Sequence, residues 1–337
     1  MPAELQPGMQ SGQACPIHDG NPMRLTHLAI LKRPRAILLA MIGALALVSA
    51  CEQIPDAALE PQNTGPNKRS DESVQLQRYY ASVQTKLQTQ GLLRTDGGGP
   101  DVPFTATTLA QNFERIALFD EYAIRGGRFV AQQTPSHLRR WERPIRVGLL
   151  FGDQVPEAQR AIDRENVAAY VRRLSRLTGV NMTVSNANPN FHVMFLYRDE
   201  QKNIGPLLRQ RIPDLGQVVI DEITQSPRNT FCVAYAFSDQ NNSSSYTSAL
   251  ILVKAEHTDL MRLSCIHEEM AQAMGLANDS PTARPSIFND DEEFALLTRQ
   301  DELLLRMLYD KRLKPGMTPQ AARPLLPIIA NDVLRSG

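Results

Sequence analysis

The segment Cys265–Ser280, CIHEEMAQAMGLANDS, constrains this chain more than any other. At about 100° per residue, Leu263, Ile266, His267, Met270 and Met274 fall on one side of a helix, and Cys265, Glu268, Glu269 and Gln272 fall on the other. Such a helix packs its apolar stripe on a core and gathers two carboxylates, an amide and a thiol on its opposite face. Gly275 then provides the freedom to turn the chain. His267 lies within the apolar stripe, so it reads as a packed histidine rather than a ligand.

The same segment resembles the active-site helix of metzincin zinc peptidases, H-E-x-x-H-x-x-G-x-x-H/D, with its metal ligands exchanged. With Gly275 as the turn glycine, Glu268 and Gln272 stand in the two histidine places, Glu269 in the general-base place, and Asn278–Asp279 at the third ligand. The literal register that starts at His267–Glu268 puts Ala271 and Met274 where a histidine and a glycine belong, so the shifted register is preferred. Downstream, Ser286–Asn289 resembles the methionine-bearing turn beneath a metzincin metal, with Phe288 in the methionine place. Leu297–Asp310 resembles the helix that follows, and Thr298 with Asp301 reads independently as a capped helix start. Residues 71–320 as a whole resemble an uncharacterised family of lipoproteins of Gram-negative bacteria. Its members share E-E-x-x-Q-x-x-G-L-x-N-D, here Glu268–Asp279, and L-Y-D-x-R-L-x-P-G-M, here Leu308–Met317. The resemblance implies a fold and leaves the activity open.

Glu268 and Gln272, one helical turn apart, could present oxygens to a divalent metal ion, with Asn278 or Asp279 completing the set. Oxygen donors suit calcium, magnesium or manganese better than zinc. Glu269 has the chemistry of a general base, although adjacent glutamates on a helix are as readily a solvated face. Asn289–Glu293 is an acidic run that reads as an exposed loop before a helix. No H-x-x-x-H pair occurs anywhere, His192 and His257 are scattered, and neither a phosphate-binding glycine loop nor a G-x-S-x-G elbow is present.

Lys32, Arg33 and Arg35 precede an apolar run, Ala36–Val48, that ends in Ser49-Ala50-Cys51. The run is shorter than the about 20 residues of a membrane span. It reads as a lipoprotein signal with Cys51 as the lipidated residue. Met23 would give a conventional leader length, so either Met1 or Met23 is the start. Glu52, rather than an aspartate, follows the cysteine, and outer-membrane anchoring facing the periplasm is the expectation. Cys15 lies in the discarded segment, which leaves Cys232 and Cys265; in an oxidising compartment they most economically form one disulfide, the alternative being two separately buried thiols. The 36 basic residues balance 36 acidic ones, which disfavours nucleic acid as a partner.

The expected organisation is a signal peptide over 1–50, a tether over 51–70, an N-terminal helical extension over 71–140, a metzincin-like domain over 141–325 and a tail over 326–337. Helices are expected over Leu76–Leu87, from Thr108 with Gln111 as capping box, and over Pro156–Thr178, ended by Gly179. Strands are expected at Ile145–Phe151, Val180–Ser185, Phe191–Tyr197, Thr230–Ser238 and Ser248–Lys254. Residues 198–226 read as helical insertion and DQNNSSSY as a polar loop. The fold class is α+β, a zincin-like mixed sheet with a backing helix and the motif helix. The expected function is an envelope lipoprotein that binds a peptide, protein or envelope component without conventional zinc catalysis. The alternative is a metal-dependent hydrolase with Glu269 as base.

Overall fold

A computed structural model describes residues 11–16, 68–125, 128–213, 215–239, 242–289 and 291–336. Cys51 and the expected leader and tether between 17 and 67 lie outside them. The centre is a mixed sheet. Strands β1 (Ser11–Pro16), β2 (Phe119–Arg125), β3 (Arg128–Pro135), β4 (Arg140–Trp141), β5 (Ile145–Phe151), β6 (Met182–Val184), β7 (Phe191–Leu196), β8 (Thr230–Asp239) and β9 (Asn242–Lys254) follow in chain order. The sheet runs β1-β8-β9-β7-β5-β6, with β4 beside the start of β9 and β2-β3 forming a separate hairpin. β6, β5, β7 and β9 are mutually parallel, whereas β8 is antiparallel to β9 and β1 antiparallel to β8.

Both faces of the sheet are covered, which explains strands that are apolar at nearly every position. Phe191, Val193 and Phe195 of β7, with Cys232 and Ala234 of β8 and Ile251 and Val253 of β9, join the larger core. Helices α3 (Glu157–Thr178) and α7 (Asp259–Gln272) pack on that side. The alternate residues Met194, Leu196, Val233, Tyr235, Leu250 and Leu252 join a second cluster. There α5 (Gly205–Arg211) and α6 (Gln217–Gln225) provide the cover, after a one-turn α4 (Arg198–Gln201). Residues 198–226 are therefore helical as expected. α3 ends at Gly179, whose φ of 73° is the left-handed cap that glycine adopts without strain.

The sequence reading differs from the structure in four places. Residues 71–140 are not helical throughout: after α1 (Asp71–Thr89) and α2 (Ala106–Ala117) comes the β2-β3 hairpin. The capping box of α2 is Thr105 with Thr108, one turn before the expected pair. The polar stretch 239–246 is mostly strand, because Ser245 and Tyr246 pair with Arg140 and Trp141 of β4 while Tyr246 also pairs with Ser238 of β8. Neighbouring strands override the turn-like composition there. The expected tail is helix α10 (Leu326–Ser336), whose buried Leu326, Ile329 and Ala330 belong to the main core. It follows α8 (Arg299–Leu308) and the one-turn α9 (Pro319–Ala322).

α1 is held by polar anchors at the end of β9. Glu256, fully buried, accepts from the Ser73 hydroxyl at 2.8 Å and the Arg198 N–H at 2.6 Å. Lys254 Nζ donates to the Pro227 carbonyl at 2.8 Å and lies 3.3 Å from the Tyr80 hydroxyl. Burial pushes the Lys254 ammonium down to about 7 and raises the Glu256 carboxyl.

Candidate functional site

The C-terminal half of α7 is where the sequence and the fold converge. Its apolar stripe, with Ile266 and Met270, enters the core. His267 goes with it: the imidazole stacks on Tyr170 at 4.1 Å between centroids, and Nδ1 accepts the Leu297 N–H at 3.2 Å. Burial holds its pKa down to about 3, so it is neutral at physiological pH. The other buried histidine, His257, hydrogen-bonds the Phe231 carbonyl through Nε2 at 2.7 Å. Both histidines have packing roles, and neither faces the glutamate pair.

The opposite face of α7 is as buried as the apolar one. Glu268 is 8 % exposed, Gln272 2 % and Glu269 0 %. β8 closes this face. Cys232 of β8 and Cys265 of α7 form the expected disulfide, with their Cα atoms 5.8 Å apart. Oxygens of Glu268 and Glu269 and the Cys232 sulfur lie within 4.8 Å of one another. Bonded to Cys265, that sulfur offers no thiolate to a metal, so the donors left at this spot are carboxylates.

After α7 the chain turns at Gly275, whose φ is 122° and whose missing Cβ would sit 2.2 Å from the Arg139 carbonyl oxygen. Only glycine meets both demands. The turn is fastened from outside: the Trp141 indole donates to the Ala273 carbonyl at 2.8 Å and the Tyr309 hydroxyl to the Met274 carbonyl at 3.0 Å. Beyond it, Asn278 turns away from the glutamates. Its backbone N–H and side-chain amide donate to the carbonyls of Ile116 and Arg115, satisfying the C-terminal end of α2. Asp279 turns back, and the Gln272 amide donates to it at 3.2 Å. Of the four residues read as metal ligands, Glu268 lies beside Glu269, Gln272 is joined to Asp279, and Asn278 is committed to α2.

The turn at Ser286–Asn289 returns to this segment. The Phe288 carbonyl accepts the Ser280 N–H at 2.8 Å, and the Phe288 ring is fully buried. Asp301 ties this turn to the start of α8. Its carboxylate accepts from the Ser286 hydroxyl, the Ile287 N–H and both the N–H and hydroxyl of Thr298, at 2.5 to 3.0 Å. The acidic run behaves differently from the expected exposed loop. Asp291 is exposed and Asp290 lies outside the described residues, but Glu293 is buried. It pairs with Arg94 and Arg284, and the Arg284 guanidinium holds its carboxyl below the usual range.

Sequence reasoning missed the cluster Lys254, Glu256 and His257. Its signal was legible: three ionisable residues within four positions, directly after an apolar strand and before a helix N-cap, have few places to go except the interior.

Together these features define a mixed α/β domain in which a glutamate-bearing helix is stapled beneath the antiparallel pair of its sheet. The chain belongs to the family described as "Protein of unknown function (DUF2927)", which matches residues 106–328. No curated protein and no solved structure matches it.

Proposed function

We propose that this is a cell-envelope lipoprotein, anchored through Cys51, whose zincin-like domain binds an extended peptide or envelope-protein segment without conventional zinc catalysis. The observation that carries the reading is the burial of the glutamate face. A catalytic metal needs a coordination position open to water and substrate. Here Glu269 is fully buried, with Glu268 and the disulfide sulfur of Cys232 beside it. The zincin-like part rests on the order strand, helix, strands and glutamate-bearing helix, on Gly275, and on the turn at Phe288.

The peptide part rests on β8. Its outer edge takes an antiparallel strand, Ser11–Pro16, paired from Ser11–Ala236 to Pro16–Thr230. Removal of a leader ending at Ala50 would free that edge, and main-chain pairing gives affinity for an extended segment with little demand on its sequence. The test is hydrogen exchange on protein starting at residue 51, with Cys51→Ser, in the presence of extended peptides, including one copying residues 10–17 with serine for Cys15. Protection confined to the amides of β8 is expected; unchanged exchange along β8 refutes the peptide part. Anchoring is tested separately: labelled palmitate enters the wild-type protein and is lost on Cys51→Ser.

The hydrolase reading keeps one observation in its favour. The Gln272 amide oxygen is buried without a hydrogen bond among the described residues, one turn from the two glutamates. An ion held there by Gln272 and Glu268, with Glu269 as base, requires the β8 side to open. Chelator-sensitive peptide cleavage that disappears on Glu269→Gln would establish it.

A further inference from the structure

On the sheet face opposite α7, a cavity of about 140 Å³ opens between the strands and α5. Its floor follows from the register. Gly148 of β5, His192 of β7 and Leu250 of β9 stand side by side in one cross-strand row, and Leu150 and Met194 lie in the next. A side chain at Gly148 is excluded, since its Cβ would lie 2.6 Å from Pro189. Pro189 packs over Gly148, and the open volume lies beside it among His192, Met194, Leu208 and Leu250. Leu207 and Leu208 of α5 form the roof. The volume is about that of an apolar cavity that stays dry and admits one benzene ring.

The polar groups of the lining are few and of one kind. Arg211, the last residue of α5, is exposed, and its guanidinium has no ion pair or hydrogen bond among the described residues. The imidazole of the half-buried His192 likewise has no hydrogen bond among them. Asn186 is committed, its side-chain oxygen accepting the Leu149 N–H at 2.8 Å. No carboxylate belongs to the lining. An apolar chamber with a guanidinium and an imidazole, and no acid, complements a compact apolar body with an anionic head.

We propose that this cavity is a binding site for a small apolar carboxylic acid, with its body against Leu208, Met194 and Leu250 and its carboxylate on Arg211 and His192. Burial and the neighbouring Arg211 hold His192 below its ordinary pKa, so the ring is neutral at pH 7 and can donate one N–H to the ligand. The site lies on the far side of the sheet from Glu268 and Glu269, so the inference does not depend on what α7 does.

The test is titration of the full-length protein with benzoate, followed by amide NMR shifts and calorimetry. The neutral isostere benzamide serves as control. Benzoate is expected to bind and to shift the amides of Leu207, Leu208 and Leu250, with benzamide at least tenfold weaker. Arg211→Gln, a surface substitution, should bring benzoate to the level of benzamide, and Leu207→Trp should fill the roof and abolish both. No saturable benzoate binding, equal binding of benzamide, or binding that survives Leu207→Trp overturns the proposal.

Discussion

Gly275 shows how much one residue can dictate. A residue with a side chain there meets a left-handed backbone and the Arg139 carbonyl oxygen together. Gly275→Ala is expected to destabilise the protein on the order of 3 kcal/mol, read by urea denaturation; a loss below about 1 kcal/mol contradicts the packing described. His267 gives a pH signature. Its pKa falls from 6.5 in the unfolded chain to about 3 in the folded one. Between these values the unfolded state binds the extra proton, so stability drops as pH falls from 6.5 towards 3. His267→Phe should cost about 1–2 kcal/mol at pH 7, because the Leu297 N–H loses its acceptor. It should also make the acid limb shallower, which denaturation at pH 7, 5 and 4 measures. The helix phase made His267 legible as a packed residue, because its position relative to Ile266 and Met270 is fixed by helix geometry. The fate of Asn278 was not legible: its partners, the carbonyls of Arg115 and Ile116, are more than 160 residues away in sequence.

At the scale of elements, the link between β8 and α7 is the one to break. The disulfide closes a sequence separation of 33 residues. The chain-entropy account gives a loss of about 3–4 kcal/mol for Cys232→Ala with Cys265→Ala, measurable as a lower denaturation midpoint that reducing agent reproduces in the wild type. A variant as stable as the oxidised protein rejects this. The docking of α1 carries a pH dependence of the same sign as that of His267, in a higher window. With Lys254 at about 7 folded against 10.5 unfolded, the unfolded state binds more protons across that window, and stability rises as pH increases from 7 to 10. Lys254→Met should flatten the rise; an unchanged slope assigns it to other groups. Elements with strong internal periodicity were readable, such as α3, stopped by Gly179, and β5. The start of β9, fixed by partners, was not: it is strand because β4 and β8 flank Tyr246. The β2-β3 hairpin carries a signal that helical periodicity overlooks, the Gly126-Gly127 dipeptide between two β-prone runs.

At the scale of the molecule, a glutamate-bearing helix closes one face of the sheet under β8, and α5 with α6 closes the other over a small cavity. The general architecture was legible because strand, helix and glycine signals agreed in order along the chain. The state of the site was not, because burial of Glu268, Glu269 and Gln272 is set by the strand packed across them rather than by anything in α7. That burial is the centre of the account, and metal stoichiometry tests it most directly. Purified protein dialysed against calcium, magnesium, manganese and zinc in turn is analysed by plasma mass spectrometry beside Gln272→Ala. The account predicts well under about 0.1 equivalent of any ion in both proteins. About one equivalent in the wild type, lost in Gln272→Ala, would contradict it.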